Sequence, residues 1–286
     1  MTTILPYLTG IYIYPIKSLD RVSLSQVKIL KSGALERDRR WALFDEKGHF
    51  VNAKNHAKIH NIRSWFDLQT GKLTLKIQGN DEQVTFDIDQ EKAGLEVVRL
   101  CREDTGERAP TNYKLEKWFS DYFNFAVQIA ENPLLGFPDD LDSPGPTVIS
   151  TATLETISRW FEGLNIEDLR LRFRANLEIG GVPPFWEDQL FTEADKTVKF
   201  KIGNIVFEGV NPCQRCIVPT RDANTSEIYP NFTKIFVKKR QELLPPWTTR
   251  SRFNHFYRVS VNTRVPESEA GKILQIGDEV KIIDNG

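Results

Sequence analysis

The first hundred residues of the chain consist of many short segments with β-strand composition, separated by turns. Apolar and β-branched residues recur in these segments, and several of the turns contain Gly, Asn or Asp. The predicted strands are residues 10–14, 22–30, 41–45, 49–53, 64–68, 73–77, 84–88 and 95–100. Because many short strands follow one another at this spacing, the sequence predicts a β-barrel or a β-sandwich.

One amphipathic helix is predicted after these strands. Its apolar face consists of Leu115, Trp118, Phe119, Tyr122 and Phe123. Apolar residues at this spacing are typical of a helix that packs against a core. Residues 132–146 are rich in Pro, Gly and Asp, which predicts a linker or a mobile loop between two halves. We therefore expect two domains, at residues 1–130 and 131–286, in a mainly β protein with some helix, an α+β fold.

The second half also contains predicted strands. Ser150 or Thr151 can cap a helix that follows the first of them, and a helix N-terminus is also a place where phosphate binds. Gly203 and Asn204 lie between two alternating segments, which is the pattern of a two-residue β-hairpin. The predicted strands are residues 147–149, 198–202, 205–210, 257–261 and 273–283.

Three arginines alternate with apolar residues in residues 169–174. Strict alternation predicts a strand with its arginines on one face. We expect Arg170 and Arg172 to lie on a solvated face with carboxylate partners. Arg174 is followed by Asn176 and then by Gly180-Gly181, so it is the better candidate for the lining of a pocket.

The charge and the composition exclude several classes of protein. Lys and Arg number 38, and Asp and Glu number 39, so no global field attracts nucleic acid or an acidic membrane. Any anionic ligand must therefore meet a local cluster of positive charge. No segment approaches the roughly 20 apolar residues that cross a bilayer. Three cysteines are too few for a secreted disulfide framework. We expect a cytosolic protein.

Cys213 and Cys216 are the two cysteines that indicate a site, because they flank Arg215 directly after the predicted hairpin. A neighbouring positive charge favours the thiolate, which is both a soft metal ligand and a nucleophile. The spacing is compatible with half of a zinc site, a redox dithiol or two inert thiols. Zinc lacks an evident second pair of ligands, since only His56 and His60 show a spacing of that kind.

Four motifs in this order resemble one known family over nearly the whole chain. They are Tyr14-Pro15-Ile16-Lys17-Ser18, Arg37-Asp38-Arg39-Arg40-Trp41, Phe173-Arg174-Ala175-Asn176, and Cys213-Gln214-Arg215-Cys216-Ile217-Val218-Pro219-Thr220. The chain resembles the MOSC proteins that pair an N-terminal MOSC β-barrel domain with a MOSC domain. This group includes the mitochondrial amidoxime-reducing component and its bacterial relatives. The resemblance implies two packed β-barrel domains with flanking helices.

The resemblance also implies a molybdenum cofactor, Mo-molybdopterin, with Cys216 as the metal ligand and catalytic residue. The pterin and its phosphate would be held by Lys17, Ser18, Arg39, Ser150, Thr151, Arg174, Asn176 and Arg215. Arginine and lysine suit this role because they form charge-assisted bonds to phosphate. Cys213 is expected to be structural.

The expected activity is the reduction of small N-hydroxylated compounds, such as hydroxylamines and amidoximes. The chain has no Cys-rich segment for an iron–sulfur cluster, so the resemblance implies an external electron donor, a flavin- or haem-containing reductase or a ferredoxin. Two alternatives remain open. One is a carrier or sulfur-transfer module for the molybdenum cofactor, and the other is a zinc-bound or metal-free interaction domain.

Overall fold

The structure is a computed structural model that describes residues 5–88 and 113–283. These residues form fifteen β-strands and four α-helices, which confirms the mainly β, α+β fold. The strands are β1 Tyr7–Ile13, β2 Val22–Leu24, β3 Gln26–Lys28, β4 Trp41–Asp45, β5 Ile62–Asp67, β6 Lys72–Ile77, β7 Gln83–Asp87, β8 Val127–Glu131, β9 Val148–Ser150, β10 Leu177–Gly180, β11 Val198–Ile202, β12 Ile205–Gln214, β13 Arg258–Arg264, β14 Ile273–Gln275 and β15 Val280–Ile282. The helices are α1 Tyr113–Phe123, α2 Thr151–Ser158, α3 Ile166–Phe173 and α4 Phe232–Glu242.

Eight strands form the main sheet, in the order β15-β11-β12-β13-β9-β10-β1-β2. β9 and β10 run parallel, whereas the other neighbours are antiparallel. Leu8, Ile11, Phe200, Phe207 and Val261 are among the buried side chains of its core. β1 and β2 thus pair within a sheet built mostly by the second half of the chain. The predicted domain boundary between residues 130 and 131 stays a prediction. The main sheet contains strands from both sides of it.

A second, smaller part of the molecule contains the strands β4 to β8. β4 pairs with β8, and β5, β6 and β7 form a separate antiparallel sheet. Leu115, Phe119 and Phe123 of α1 are buried in the core of this part, together with Trp41 and Leu75. The predicted helix is therefore confirmed, including the apolar face that it buries.

The predicted strand at residues 169–174 is wrong, because this segment belongs to α3. Asn165 caps the helix, and its side chain accepts hydrogen bonds from the backbone N–H groups of Glu167 and Asp168. Leu169 and Phe173 are buried at the i and i+4 positions of the inner face. Six residues of alternation satisfy a short helix as well as a strand, and the capping box with the adjacent core selects the helix.

Other sequence predictions have mixed outcomes. Residues 22–30 form two short strands, and β3 leaves the main sheet to pair with β14. Residues 49–53 are not a strand, since only Phe50 forms a β-bridge, with Phe44. Residues 273–283 form two strands rather than one. The strand predicted at residues 95–100 lies outside the described residues.

The hairpin of β11 and β12 forms around Gly203 and Asn204, as predicted. β12 continues to Gln214, so Cys213 lies in the strand and Cys216 follows it. The pairing of β12 with β13 shifts register twice, between Gly209 and Asn211 and again between Pro212 and Gln214. Such β-bulges bend a strand and change where its side chains point. The thiols therefore lie at the irregular end of a rigid hairpin.

Among the helices of residues 5–88 and 113–283, none combines the length and the apolar character that a membrane crossing needs.

Candidate functional site

One cavity of about 620 Å³ is lined by residues from both halves of the chain. We call it the basic cavity because cationic side chains outnumber acidic ones in its lining. The cations are Lys17, Arg39, Lys54, Arg172, Arg174, Arg215, Arg252 and Arg258, and the acidic residues are Asp38, Asp139 and Asp140. The whole chain has a formal net charge of −1. The positive charge of this cavity is therefore local.

Both thiols of the Cys-x-x-Cys segment line the basic cavity. Both cysteines are free, Cys216 is exposed, and Cys213 is partly buried. Arg215 donates from Nη1 to Sγ of Cys213 at 3.2 Å and from Nη2 to the carbonyl oxygen of Phe173 at 2.5 Å. Arg215 therefore connects the loop to the end of α3 and leaves the sulfur of Cys216 accessible.

Arg174 lies where α3 ends, in the left-handed conformation with φ of 53°. Its Nη2 donates to the carbonyl oxygen of Leu19 at 2.7 Å, and its guanidinium lies 4.0 Å from the centre of the Tyr14 ring. Arg174 makes no ion pair with any carboxylate of the described residues. Burial lowers the pKa of Arg174, because desolvation disfavours its charged form.

Arg39 lies beside Arg174, although both side chains carry a positive charge. Its Nη1 contacts the carboxylate of Asp38 and donates to Oδ1 of Asn176 at 3.3 Å, and its Nη2 lies 3.4 Å from the carbonyl oxygen of Arg174. Asn176 is buried, and its Nδ2 donates to the carbonyl oxygen of Tyr12 at 3.0 Å. The amide of Asn176 is therefore occupied by the protein, and it positions Arg39.

Lys17 is buried at another point of the cavity wall. Its Nζ donates to the carbonyl oxygen of Phe137 at 2.9 Å and to Oδ1 of Asp139 at 2.5 Å. Burial lowers the pKa of Lys17, and the charge of Asp139 opposes this effect. Ser18 also lines the cavity, and its hydroxyl accepts a hydrogen bond from the N–H of Ala53 at 3.1 Å.

The structure does not bring Ser150 and Thr151 to the basic cavity. Ser150 is fully buried and caps α2, with its hydroxyl accepting from the N–H of Thr153 at 3.1 Å. Thr151 donates to Oε1 of Glu178 at 2.8 Å and lines a second cavity of about 540 Å³. The seven other predicted site residues all line the basic cavity: Lys17, Ser18, Arg39, Arg174, Asn176, Arg215 and Cys216. Their role in binding a cofactor stays a prediction.

The pKa of His60 is affected by arginines, including Arg174 of the basic cavity. Burial lowers the pKa of His60 to about 4, and the charges of Arg174, Arg221 and Arg63 contribute in that order. A neighbouring cation disfavours a protonated imidazole, so the arginine charges lower the pKa of His60 in the same direction as burial does.

Several lining residues escaped the sequence analysis. Asp139, Asp140 and Ser143 belong to the segment predicted as a linker, and Arg252 and Arg258 are distant from every motif. Ser143 is buried, and its hydroxyl has no hydrogen-bond partner in the part of the chain that the structure describes. The composition of this segment predicts a loop. It does not predict that the loop lies against the cavity, because that position depends on contacts with residues distant in sequence.

A metal cluster built from protein ligands alone is absent from residues 5–88 and 113–283. No group of three or more His, Cys, Asp or Glu side chains there could hold a metal ion. Cys213 and Cys216 therefore have no such companions within those ranges for a four-ligand zinc site.

Two family models match the chain. The model of the MOSC N-terminal beta barrel domain matches residues 5–125, and that of the MOSC domain matches residues 147–281. The chain belongs to the MOSC family. Residues of both matched segments line the basic cavity of this MOSC protein, and residues from the stretch 135–145 between them complete the lining.

Curated relatives are similar at low identity. Human molybdenum cofactor sulfurase is 24% identical over 252 residues, which are 77% of this chain and 27% of that protein. Human mitochondrial amidoxime reducing component 2 is 24% identical over 242 residues, 76% of this chain and 67% of that protein. This MOSC protein thus spans about a quarter of the sulfurase. A solved Bacillus subtilis structure, the YUAD protein, aligns over 98% of this chain and 96% of its own at 11% identity with a TM-score of 0.39.

Proposed function

We propose that the basic cavity binds the molybdenum cofactor, Mo-molybdopterin, with Cys216 as the ligand of the metal. The observation that carries this proposal is the position of an exposed thiol in a cavity where Arg174 and Arg215 make no ion pair with a carboxylate of the described residues. An anionic ligand would compensate these charges, whereas a neutral one would not. The name of the sulfurase relatives supports the choice of cofactor.

The donors of the cavity fit a phosphate and a polar ring system. Lys17, Arg39, Arg174 and Arg215 supply charged N–H groups, and charge-assisted bonds of this kind are the strong ones. Nε of Arg215 and the hydroxyl of Ser143 are buried without a hydrogen-bond partner in the described residues. A buried donor without a partner costs about 1–3 kcal/mol, so a polar ligand at these atoms would stabilise the site.

We further propose that this MOSC protein reduces small N-hydroxylated compounds. When bound, the cofactor supplies a two-electron redox centre that can take an oxygen atom from the substrate. The balanced change is R–NHOH plus two electrons and two protons to R–NH₂ plus water. The electrons come from a separate flavin- or haem-containing reductase or a ferredoxin. The name of the amidoxime reducing component supports this substrate class.

The residues of the chain would bind the phosphate of the cofactor, orient the loop that carries Cys216 and keep its thiol accessible. Arg174 and Arg39 bind the phosphate, while Asn176 holds Arg39 in place. Arg215 stays fixed to the carbonyl of Phe173 and so orients the loop that presents Cys216. Because Cys216 is exposed, its sulfur would be accessible to the metal of the cofactor.

The test is the reduction of benzamidoxime by the cofactor-loaded protein with an artificial electron donor. We expect Cys216→Ser to abolish turnover and the visible absorption of the metal–sulfur bond, whereas Cys213→Ser retains much of both. Equal losses in the two variants would instead indicate a dithiol mechanism.

A carrier or sulfur-transfer module is the second candidate function. Two observations favour it: both free thiols line the same cavity, and the relatives of this MOSC protein include molybdenum cofactor sulfurases. A fully loaded protein that reduces neither benzamidoxime nor hydroxylamine would support this function over the reductase.

A further inference from the structure

Arg252 and Arg258 form a part of the basic cavity that the proposed cofactor contacts do not use. Arg252 donates from Nη1 to the carbonyl oxygens of Thr192 at 2.6 Å and Glu193 at 3.0 Å. Its Nη2 lies 3.3 Å from the carbonyl oxygen of Val210. Backbone carbonyls thus fix the guanidinium of Arg252 without neutralising its charge.

Arg258 is held in a similar way at the start of β13. Its Nη1 donates to the carbonyl oxygen of Pro212 at 2.9 Å, and its Nη2 donates to Oδ1 of Asn254 at 2.9 Å and to Oε1 of Gln214 at 3.5 Å. Nε of Arg258 is buried and has no partner in residues 5–88 and 113–283. Across those residues, neither Arg252 nor Arg258 makes an ion pair with a carboxylate.

The two arginines also act on each other. Burial lowers the pKa of Arg258, the charge of Cys213 opposes this, and the charge of Arg252 lowers the pKa further. Both guanidiniums also bond to carbonyl oxygens of the same strand, Arg252 to Val210 and Arg258 to Pro212, two positions apart in β12. Like charges beside the same end of a strand repel each other unless an anion compensates them. The neutral carbonyl groups thus hold Arg252 and Arg258 in place against their mutual repulsion.

The contacts of this pair are separate from those of the proposed phosphate site. Arg39 donates to the side chain of Asn176, and Arg174 donates to the carbonyl oxygen of Leu19. Arg215 lies between the two groups in the network of contacts, since it bonds to Phe173 on one side and to Cys213 on the other. The arginines of the cavity are therefore held by two different sets of contacts, and Arg215 lies between them.

We propose that Arg252 and Arg258 form a second oxyanion subsite in the basic cavity, which binds a carboxylate or a phosphate group. Two sources share this chemistry: an acidic group on the substrate, and a second phosphate on a dinucleotide form of the cofactor. The subsite itself rests on the geometry of the protein alone. Only the choice between its two sources rests on the proposed function.

The first arm of the test is calorimetric titration of the full chain with inorganic phosphate, after production in a host that does not make the cofactor. We expect wild-type protein to bind phosphate at two sites. Arg258→Gln should weaken one of them by about tenfold or more, because it removes a charged donor, and Arg258→Lys should restore part of the affinity. Arg250→Gln is the matched control, since Arg250 is exposed in the same short helical turn as Arg252 and does not line the cavity.

The second arm repeats the titration with cofactor-loaded protein. If one phosphate site remains and Arg258→Gln removes it, the subsite serves an acidic substrate. If no site remains, and Arg258→Gln lowers retention of the cofactor, the subsite binds a second phosphate of the cofactor.

A single phosphate site in the wild-type protein, or two sites of unchanged affinity in folded Arg258→Gln, would overturn the second subsite. Failure of the proposed cofactor site would look different. It would appear as an Arg174→Gln variant that retains both phosphate sites and its cofactor.

Discussion

The basic cavity and the second cavity are of similar volume, about 620 and 540 Å³. Arg174 in the first and Arg170 in the second differ in their hydrogen-bond partners. In the second cavity, Arg170 donates from Nε and Nη2 to both carboxylate oxygens of Glu178 at 2.8 Å. In the basic cavity, Arg174 donates only to a carbonyl oxygen. The first arrangement is complete without a ligand. The second leaves the positive charge of Arg174 for an anion. The partner of each of these two arginines therefore indicates its role better than its position in a cavity does.

Arg172 lies between these two residues in the sequence and has a third environment. It is buried, and its Nη2 lies 3.3 Å from Oδ2 of Asp222. Side chains two positions apart on a helix point about 200° apart, which separates Arg170 from Arg172. Arg174 follows the end of the helix in a left-handed conformation and so points elsewhere again. One short segment therefore places three arginines in three different environments, with Arg170 in the second cavity and with Arg172 and Arg174 in the lining of the basic cavity.

The largest expected effect concerns stability. Arg170→Gln should lower the free energy of unfolding by about 3 kcal/mol, because the buried carboxylate of Glu178 would lose its partner. Arg174→Gln should change the stability of the ligand-free protein little, since no ion pair is lost. Urea unfolding of the two variants measures the difference. Equal destabilisation would show that both arginines are structural.

For phosphate binding, we expect the opposite ranking: Arg174→Gln should have the larger effect and Arg170→Gln the smaller one. Arg174→Gln should weaken phosphate binding by about 10- to 100-fold, because it removes a charged hydrogen bond to the ligand. Arg170→Gln should bind phosphate as the wild type does, since Arg170 lies in the second cavity. The measurement is titration of cofactor-free protein at low ionic strength. A comparable loss in Arg170→Gln would break the distinction between the cavities.

The imidazole of His60 offers a spectroscopic test of the uncompensated charge. In Arg174→Gln we expect the pKa of His60 to rise from about 4, since the cation that lowers it most is removed while the burial remains. NMR titration of the ring protons measures it. His255 is the internal control, because its pKa is lowered by burial and by Arg258 rather than by Arg174.

The low pKa of His60 also predicts how stability depends on pH. The folded state disfavours the proton, so the contribution of His60 is present above pH 6.5 and is lost as the pH falls toward about 4. Arg174→Gln should reduce this acid-dependent loss. An identical pH dependence in the two proteins would mean that Arg174 contributes no field at His60.

The smallest expected effect concerns Asp139, which pairs with Lys17 inside the basic cavity. Asp139→Asn should strengthen phosphate binding by at most about fivefold, because Asp139 is 82% exposed and its charge is screened. Asp140→Asn is the matched control, since Asp140 lines the same cavity but contacts Asn262 instead of a lysine. Weaker binding by Asp139→Asn would show that the carboxylate positions Lys17 for the ligand.

The sequence predicted local features of the fold better than distant ones. The β11–β12 hairpin was predictable because Gly203 and Asn204 specify a turn within a few residues. α3 was not, because the alternation of residues 169–174 fits two structures and the core selects between them. The carboxylate partners expected for Arg170 and Arg172 are confirmed, but on a helix, and Arg172 is buried rather than solvated.

The site was predictable to the extent that it lies in motifs. Lys17, Arg174 and Cys216 meet at one cavity, as the resemblance implied. Ser150 was misplaced because a hydroxyl at a helix N-terminus can cap the helix or bind phosphate, and here it caps. Arg252 could not be predicted, since only tertiary contacts bring it to the wall of the cavity.

The most direct test of the central claim is the metal content of the purified protein, measured by mass spectrometry for the wild type, Cys216→Ser and Cys213→Ser. We expect stoichiometric molybdenum in the wild type and in Cys213→Ser, and a loss of molybdenum in Cys216→Ser. Stoichiometric zinc without molybdenum in the wild type, or molybdenum that Cys216→Ser leaves unchanged, would contradict a molybdenum site at Cys216 in the basic cavity.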